Sequence, residues 1–186
     1  MKKLFLTTTT ALALMLSADI VQAQQITVSG DISPTTPPTQ PTWTVPGDTL
    51  IVGNTAAGTL TIANGGTVNA TASTTIASGA GSTGTLNFGA PMGSAPAPTG
   101  TLNTPMVTLG AGTSTINFNH TDTLTVSARI FGLASPGIRA VNQISGTTIL
   151  TSPNSYNGPT IVSGGTLKAG ALGSFSVVSD MTVENT

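Results

Sequence analysis

The sequence predicts an all-β fold, a right-handed parallel β-helix (solenoid) of short degenerate repeats. Three observations lead to this prediction. Apolar and polar residues alternate over short runs rich in Thr, Val and Ile, as in strands with one buried face. Turns rich in glycine and asparagine separate the runs. The runs also resemble one another, and stacked copies of a short unit can share a core that no single copy forms alone.

The alternation begins after Asp48 and recurs along the chain. Alternating residues of a strand point to opposite faces, so each run predicts one apolar face. No window after residue 24 has a sustained period of 3.6 residues, and we therefore expect almost no helix. The alternating pairs are Leu50 and Val52, Leu60 and Ile62, Leu86 and Phe88, Ile116 and Phe118, and Leu124 and Val126.

The repeated unit is short and unevenly spaced. Gly-Thr-Leu occurs at 58–60, 84–86, 100–102 and 165–167, and residues 61–68 align with residues 160–167. A β-sandwich is the competing fold, but its turns come at a steadier spacing. Uneven spacing is typical of a solenoid whose loops differ from turn to turn. The proline-rich stretch 90–105 is predicted to be one protruding loop of the repeat region, which spans 48–186.

Residues 1–23 have the features of an export signal. Lys2 and Lys3 precede an apolar run from Leu4 to Leu16, and Val21-Gln22-Ala23 places small residues before a cleavage point. The apolar run has 13 residues, too few to span a bilayer, which takes about 20. The sequence therefore predicts a signal peptide read by the Sec export machinery, and an exported protein.

The segment 24–47 is rich in proline and threonine. Proline fixes φ and lacks an N–H, so this stretch resists helix and central strand. We expect an extended spacer, or an N-terminal strap over the first turn of the following domain. Trp43, the single tryptophan of the chain, is then expected to cover an apolar end, with partner binding as the alternative.

Composition excludes several classes of function. Charged residues make up 6% of the chain and the net charge is −1, so it lacks the cations that displace counterions from nucleic acid. Cysteine is absent, which excludes disulfides and thiolate metal sites. With one histidine and scattered aspartates, we expect no metal and no cofactor.

Catalytic motifs are equally sparse. His120-Thr121-Asp122 brings a base and an acid together on one face of a strand, but no activated nucleophile accompanies them. The spacing Gly79-x-Gly81-x-x-Gly84 matches a dinucleotide-binding loop, yet a strand and not a helix follows it. We therefore predict no catalytic residue, no cofactor-binding residue and no enzyme.

Residues 142–170 carry a more specific pattern, a Gly-Thr-Thr start, an Asn-x-Tyr-x-Gly centre and a Gly-Thr-Leu end. This pattern resembles the passenger-associated repeat of bacterial autotransporters, and residues 50–68 and 116–132 are similar to other passenger segments. Pro153 and Pro159 depart from the family pattern and are expected to stiffen its turn. The matching residues, with the glycine before the last three, are Gly146, Thr147, Asn154, Tyr156, Gly158, Thr160, Gly164, Gly165, Thr166 and Leu167.

The resemblance implies a passenger segment that crosses the periplasm of a Gram-negative bacterium and is displayed at the cell surface or released outside the cell. It would be a non-catalytic structural or adhesive module for host-cell or matrix ligands. The repeat residues then have structural roles: glycines at corners, Asn154 bonding along the stack, and Tyr156 over a neighbouring turn with its hydroxyl in water. The outer-membrane β-barrel translocator of the family is missing from this chain. A truncated fragment without function is one alternative, and a glycan-cleaving β-helix that uses His120 and Asp122 is another.

Overall fold

A computed structural model of the chain describes residues 25–36, 38–132 and 137–184. The expected signal peptide, 1–23, lies outside the described residues. Within these ranges the regular secondary structure is entirely β, in sixteen strands, which confirms the all-β prediction. Across these ranges, no helix has the length and apolarity needed to cross a membrane.

The strands are numbered in chain order. β1 to β8 are Gln25–Gly30, Ile32–Ser33, Thr42–Thr44, Thr49–Val52, Ala57–Ala63, Thr67–Asn69, Ser73–Ile76 and Thr83–Gly89. β9 to β16 are Thr101–Asn103, Met106–Leu109, Thr113–Val126, Arg129–Gly132, Arg139–Leu150, Thr160–Val162, Thr166–Ala169 and Met181–Val183.

Three sheets contain these strands. Sheet 1 has the order β1-β5-β8-β11-β13-β14-β16, with β15 also paired to β13. Sheet 2 has the order β12-β10-β7-β4-β2, and sheet 3 has the order β3-β6-β9. Every pairing is parallel except those of β1 with β5 and β2 with β4.

The chain visits the sheets in a fixed sequence. β3, β4 and β5 lie in sheets 3, 2 and 1, and β6-β7-β8 and then β9-β10-β11 repeat that order. We call one such passage a circuit. Because each circuit returns to the edge left by the one before it, its strands pair in parallel with the strands of that circuit. β11 and β13 are longer because each continues around the corner from sheet 1 into the next circuit.

The core consists of columns of apolar residues in register along the circuits. Leu60 pairs with Leu86, Leu86 with Ile116, and Ile116 with Val141. All four side chains are buried, and burial of one such side chain contributes about 1.5–3 kcal/mol. All ten apolar residues of the alternating pairs are buried, so the predicted inward faces are confirmed.

The N-terminal segment 24–47 contains strands, which the sequence analysis did not predict. β1 and β2 run antiparallel along the first strands of sheets 1 and 2, where edge positions tolerate the prolines that follow. Trp43 lies in β3 and is 2% exposed. The Asp31 carboxylate accepts N–H bonds from Asn54, Thr55 and Ala56, and these bonds lower the pKa of Asp31.

The stretch 90–105, expected as a protruding loop, includes strand β9. Pro98 and Pro105 flank β9 and do not interrupt it, so the N–H groups of Thr101–Asn103 remain available for pairing with β6. Before β9, Ala97 forms a parallel bridge with His120. The part of this stretch that leaves the sheets is therefore shorter than the sequence suggested.

Candidate functional site

The outward face of sheet 1 carries two rows of uncharged polar side chains. Thr59 is in register with Thr85, and Thr85 with Thr115. Their neighbours Leu60, Leu86 and Ile116 point into the core, so strand alternation directs the threonines outward. The second row, two positions along each strand, is Thr61, Asn87, Asn117 and Asn142.

The second row is joined by hydrogen bonds between side chains. Asn142 Nδ2 donates to Asn117 Oδ1 at 2.8 Å, and Asn117 Nδ2 donates to Asn87 Oδ1 at 2.8 Å. Asn87 Nδ2 then donates to the Thr61 hydroxyl at 3.0 Å. Asn87 and Asn117 both donate and accept, because the strands are stacked in register, so this asparagine ladder holds the side chains of the second row in place.

The loop after β8 forms one wall beside these rows. Asn119 Nδ2 donates to the carbonyls of Pro91 and Ser94, both at 3.0 Å. This clamp holds Met92, which is 56% exposed, next to the threonine row. The loop and the rows enclose a surface groove of about 480 Å³, the sheet-1 groove, whose lining includes Thr59, Thr85, Thr115, Asn117, Pro91 and Met92.

The chemistry of the sheet-1 groove is neutral. All nine residues that line it are uncharged, so electrostatic attraction selects neither anions nor cations there. The asparagine amides are largely used within the ladder, which leaves the half-buried hydroxyls of Thr59, Thr85 and Thr115 as the free polar groups. The groove thus offers hydroxyl hydrogen bonds beside an apolar methionine, a combination suited to neutral polar surfaces.

A second opening lies where sheet 3 ends at β9. Hydrogen bonds join the two circuits at both ends of the gap. The Thr99 N–H donates to the Asp122 carboxylate at 3.2 Å, and the Arg129 N–H donates to the Pro105 carbonyl at 3.0 Å. Residues 99–105 and 122–129 differ by one residue in length, and no strand pairing joins them along the gap. The gap leads to a cavity of about 290 Å³ lined by core residues such as Phe88, Phe118 and Leu124.

His120 and Asp122 do approach each other. Nδ1 of His120 lies 3.2 Å from Oδ1 of Asp122, a close contact without the alignment of a good hydrogen bond, while Nε2 is 3.0 Å from the Thr148 hydroxyl. The imidazole is fully buried. Burial lowers the pKa of His120, and the adjacent carboxylate opposes that shift. The neutral ring has no exposed atom to offer a substrate, as a general base must.

The centre of the repeat pattern binds to the circuits on both sides. Asn154 Oδ1 accepts from the Ile130 N–H at 2.7 Å, and Asn154 Nδ2 donates to the carbonyl of Ser174. Tyr156 is 2% exposed, and its hydroxyl lies 2.6 Å from Oγ1 of Thr160. The expectation that this hydroxyl meets water is therefore wrong, because residues 174–179 of the next circuit cover it.

The glycines of the pattern stand at corners where the backbone needs their freedom. Gly146 and Gly165 have φ of 75° and 67°, and a Cβ on Gly165 would lie 2.3 Å from the carbonyl oxygen of Gly146. Gly158 (φ 124°) accepts a hydrogen bond from Ser179 Oγ. The remaining repeat residues span two circuits: Thr147 lies in β13 and Thr160 in β14, and Gly164 precedes β15. Thr166 and Leu167 lie in β15, where they pair with Thr147 and Thr148 of the circuit before.

The sequence analysis missed the asparagine ladder and the Asn119 clamp. A signal was present: Thr85-Leu-Asn-Phe88 and Thr115-Ile-Asn-Phe118 share one pattern, with asparagine at the same outward position. Recognising it requires the pairing of β8 with β11, because the ladder exists only where those asparagines are in register.

Other chemistry and the comparisons with known proteins add little. Within the described ranges, no three His, Asp or Glu side chains form a group able to hold a metal ion. No family model, curated protein or solved structure matches the chain.

Proposed function

We propose that the chain is an exported, surface-displayed passenger segment of the autotransporter type, which acts as a non-catalytic structural and adhesive module. In this proposal the circuits form a right-handed parallel β-helix. The order in which the chain visits its three sheets supports that architecture, and parallel crossovers within one sheet are right-handed in nearly all proteins. The translocator and the Sec machinery are the proposed export partners.

The observation that carries the adhesive role is the outward face of sheet 1. Three circuits present Thr59, Thr85 and Thr115 in register, and the asparagine ladder holds the row without charged residues. A rigid neutral array loses little conformational entropy when it binds. It therefore suits repeated weak contacts with a host-cell or matrix surface, which together give useful avidity.

The buried state of His120 supports a role without catalysis. Its ring is fully covered, and its Nε2 already contacts Thr148. A glycosidase or lyase on this fold would need acidic or basic groups grouped along an open groove. The sheet-1 groove is lined by uncharged residues.

Binding of the purified chain to cultured host cells and to immobilised matrix protein tests the adhesive role. Thr85→Asp together with Thr115→Asp places two charges on the outward face, and we expect at least a tenfold loss of binding. The matched control is Thr75→Asp with Thr108→Asp, which adds the same charge to paired outward positions of sheet 2 and should bind normally. Absence of binding by the unmodified chain, or equal loss in both variants, contradicts the proposal.

A further inference from the structure

The gap beside β9 interrupts one wall of the stack of circuits. β3, β6 and β9 form sheet 3, and the next passage of the chain along this wall is 123–126 of β11. Residues 123–126 pair with 147–150 of β13, and those pair with 166–169 of β15. No strand pairing joins 101–103 of β9 to 123–126. Paired strands therefore continue on both sides of the gap, and we call the opening between them the β9–β11 slit.

Hydrogen bonds close the β9–β11 slit at its two ends. One joins the Thr99 N–H to the Asp122 carboxylate, and the other joins the Arg129 N–H to the Pro105 carbonyl. An extended peptide that paired along the slit would pass through both ends and break both bonds. A small molecule that enters from solvent through the middle breaks neither. The slit therefore favours a small molecule over a further strand.

Backbone hydrogen-bonding groups face the slit from both of its edges. In a parallel sheet, successive residues of a strand direct their N–H and C=O groups to opposite sides. On β9, the Thr101 N–H and the Asn103 carbonyl bond on the side of β6, so the N–H and C=O of Leu102 face the slit. On β11, the Val126 carbonyl accepts a bond on the side of β13, so the N–H and C=O of Thr125 face the slit. Both edges thus offer a donor and an acceptor to a ligand.

The cavity behind the slit is apolar inside and carries hydroxyls at its mouth. The rings of Phe88 and Phe118 line it, stacked with their centroids 5.4 Å apart and their planes at 16°. The exposed hydroxyl-bearing residues of its lining are Thr101, Thr123, Thr125 and Ser127. All the described residues that line the cavity are uncharged. This lining suits a neutral molecule with an apolar body, because a buried charge would find no partner there.

The volume of the cavity limits the size of the ligand. An apolar cavity of about 150 Å³ binds benzene, so the cavity of about 290 Å³ has room for a body of about two fused rings. A flat body fits an opening between two strands. An aromatic ring also gains from contact with the stacked pair of Phe88 and Phe118, beyond the burial of its surface.

We propose that the β9–β11 slit and its cavity bind a small, neutral aromatic molecule that carries one hydroxyl or carbonyl group. The rings occupy the cavity against Phe88 and Phe118, and the polar group lies in the slit, where the backbone groups of Leu102 and Thr125 hydrogen-bond to it. The site shares no lining residue with the sheet-1 groove, so it is independent of the proposed adhesive role.

Titration of the purified chain with 2-naphthol tests the proposal, because this probe has two fused aromatic rings and one hydroxyl. Calorimetry should show one site per chain with a Kd below about 1 mM. Decahydro-2-naphthol, the saturated analogue, should bind about threefold more weakly, because it loses the aromatic contact. Naphthalene-2-sulfonate should bind about tenfold more weakly or worse, because its charge finds no partner. Bound 2-naphthol should also raise the urea concentration at which half of the chain unfolds, since it binds the folded state.

Filling the cavity should remove the site. Ala128 is buried in the lining, and Ala128→Leu places added carbons in the cavity, so binding of 2-naphthol should weaken about tenfold or more while the chain stays folded. The matched control is Ala56→Leu, the same change at an exposed residue outside the lining, which should bind normally. Val126→Ile adds one carbon to another part of the lining and should weaken binding about threefold or more. It provides the same test if Ala128→Leu does not fold.

Three results would overturn the proposal. The first is titration of the unmodified chain without saturation by 2-naphthol. The second is undiminished binding by the folded cavity-filling variants. The third is an equal loss of binding in Ala56→Leu, because the probe would then bind elsewhere. Tighter binding of naphthalene-2-sulfonate than of 2-naphthol contradicts the neutral character of the ligand and overturns the proposal as well.

Discussion

The side-chain amide of Asn117 donates to Oδ1 of Asn87 across 2.8 Å, although 30 positions separate the two residues in the sequence. Asn142 completes the chain of amides by donating to Asn117 Oδ1. All three are buried. The ladder forms only when β8, β11 and β13 are in register, because each of its bonds joins residues paired across neighbouring strands.

Removal of the central amide should therefore destabilise the fold. Asn117→Ala leaves Asn87 Oδ1 and Asn142 Nδ2 without their partner, at a cost of about 1–3 kcal/mol. Asn117→Asp should cost more, because it sets a buried carboxylate against the Asn87 oxygen. The measurement is the free energy of unfolding in urea.

A matched variant exists in sheet 3. Asn103 donates to Asn69 Oδ1 at 2.7 Å in an exposed pair, so Asn103→Ala should cost under about 1 kcal/mol, since water replaces the lost bond. If both alanine variants lose the same free energy of unfolding, burial of the ladder adds nothing to stability beyond an exposed asparagine pair.

The glycine corners give a second prediction. Gly146 has φ of 75°, and a Cβ there would lie 2.3 Å from Nδ1 of His120. Gly146→Ala should therefore combine left-handed backbone strain of about 1–2 kcal/mol with steric displacement of a neighbouring circuit, about 1–3 kcal/mol.

Gly93 separates the two contributions. Its φ is 82° and nothing lies within 4 Å of a Cβ built on it, so Gly93→Ala should show the backbone strain alone. Thermal or urea unfolding of both variants measures the difference. If Gly93→Ala proves as destabilising as Gly146→Ala, close stacking at the corner is not what requires glycine.

Stability should fall as the pH is lowered from about 7 to 5. The pKa of buried His120 lies below its usual value of 6.5, so between those two pKa values the unfolded chain binds more protons than the folded one. Protonation then favours unfolding, and the free energy of unfolding decreases as the pH falls. The lowered pKa of Asp31 acts only at more acidic pH, below its ordinary 3.8.

His120 is the single histidine of the chain, which makes the control simple. His120→Gln keeps a polar side chain near Thr148 and should flatten the dependence of unfolding free energy on pH between 5 and 7. If His120→Gln has the same slope of unfolding free energy against pH as the unmodified chain, groups other than His120 cause that slope.

Local patterns predicted the strands but not their partners. Alternation placed Leu60, Leu86 and Ile116 on inward faces, because the two-residue period is a property of a single strand. Paired glycines and asparagines similarly marked the corners, where the left-handed backbone is a local requirement.

What the sequence analysis missed depends on neighbouring circuits. Tyr156 is buried because residues 174–179 of the next circuit cover it, and nothing within the repeat pattern specifies that cover. The strands of 25–44 were missed because prolines mask their alternation, and they are stabilised by pairing with β4, β5 and β6. The candidate site could not be predicted from the sequence for the same reason, because its ladder needs three strands in register.

The central claim is that successive circuits stack in parallel and in register, and cysteine cross-linking tests it most directly. Thr85 and Thr115 are register partners on β8 and β11, and neighbouring strands lie about 4.8 Å apart, within disulfide range. Thr113, two residues away on β11, lies about 8 Å from Thr85 by the same geometry, beyond that range. We predict that Thr85→Cys with Thr115→Cys forms an intramolecular disulfide on oxidation and that Thr85→Cys with Thr113→Cys does not; cross-linking of the second pair in place of the first would contradict the stacked register.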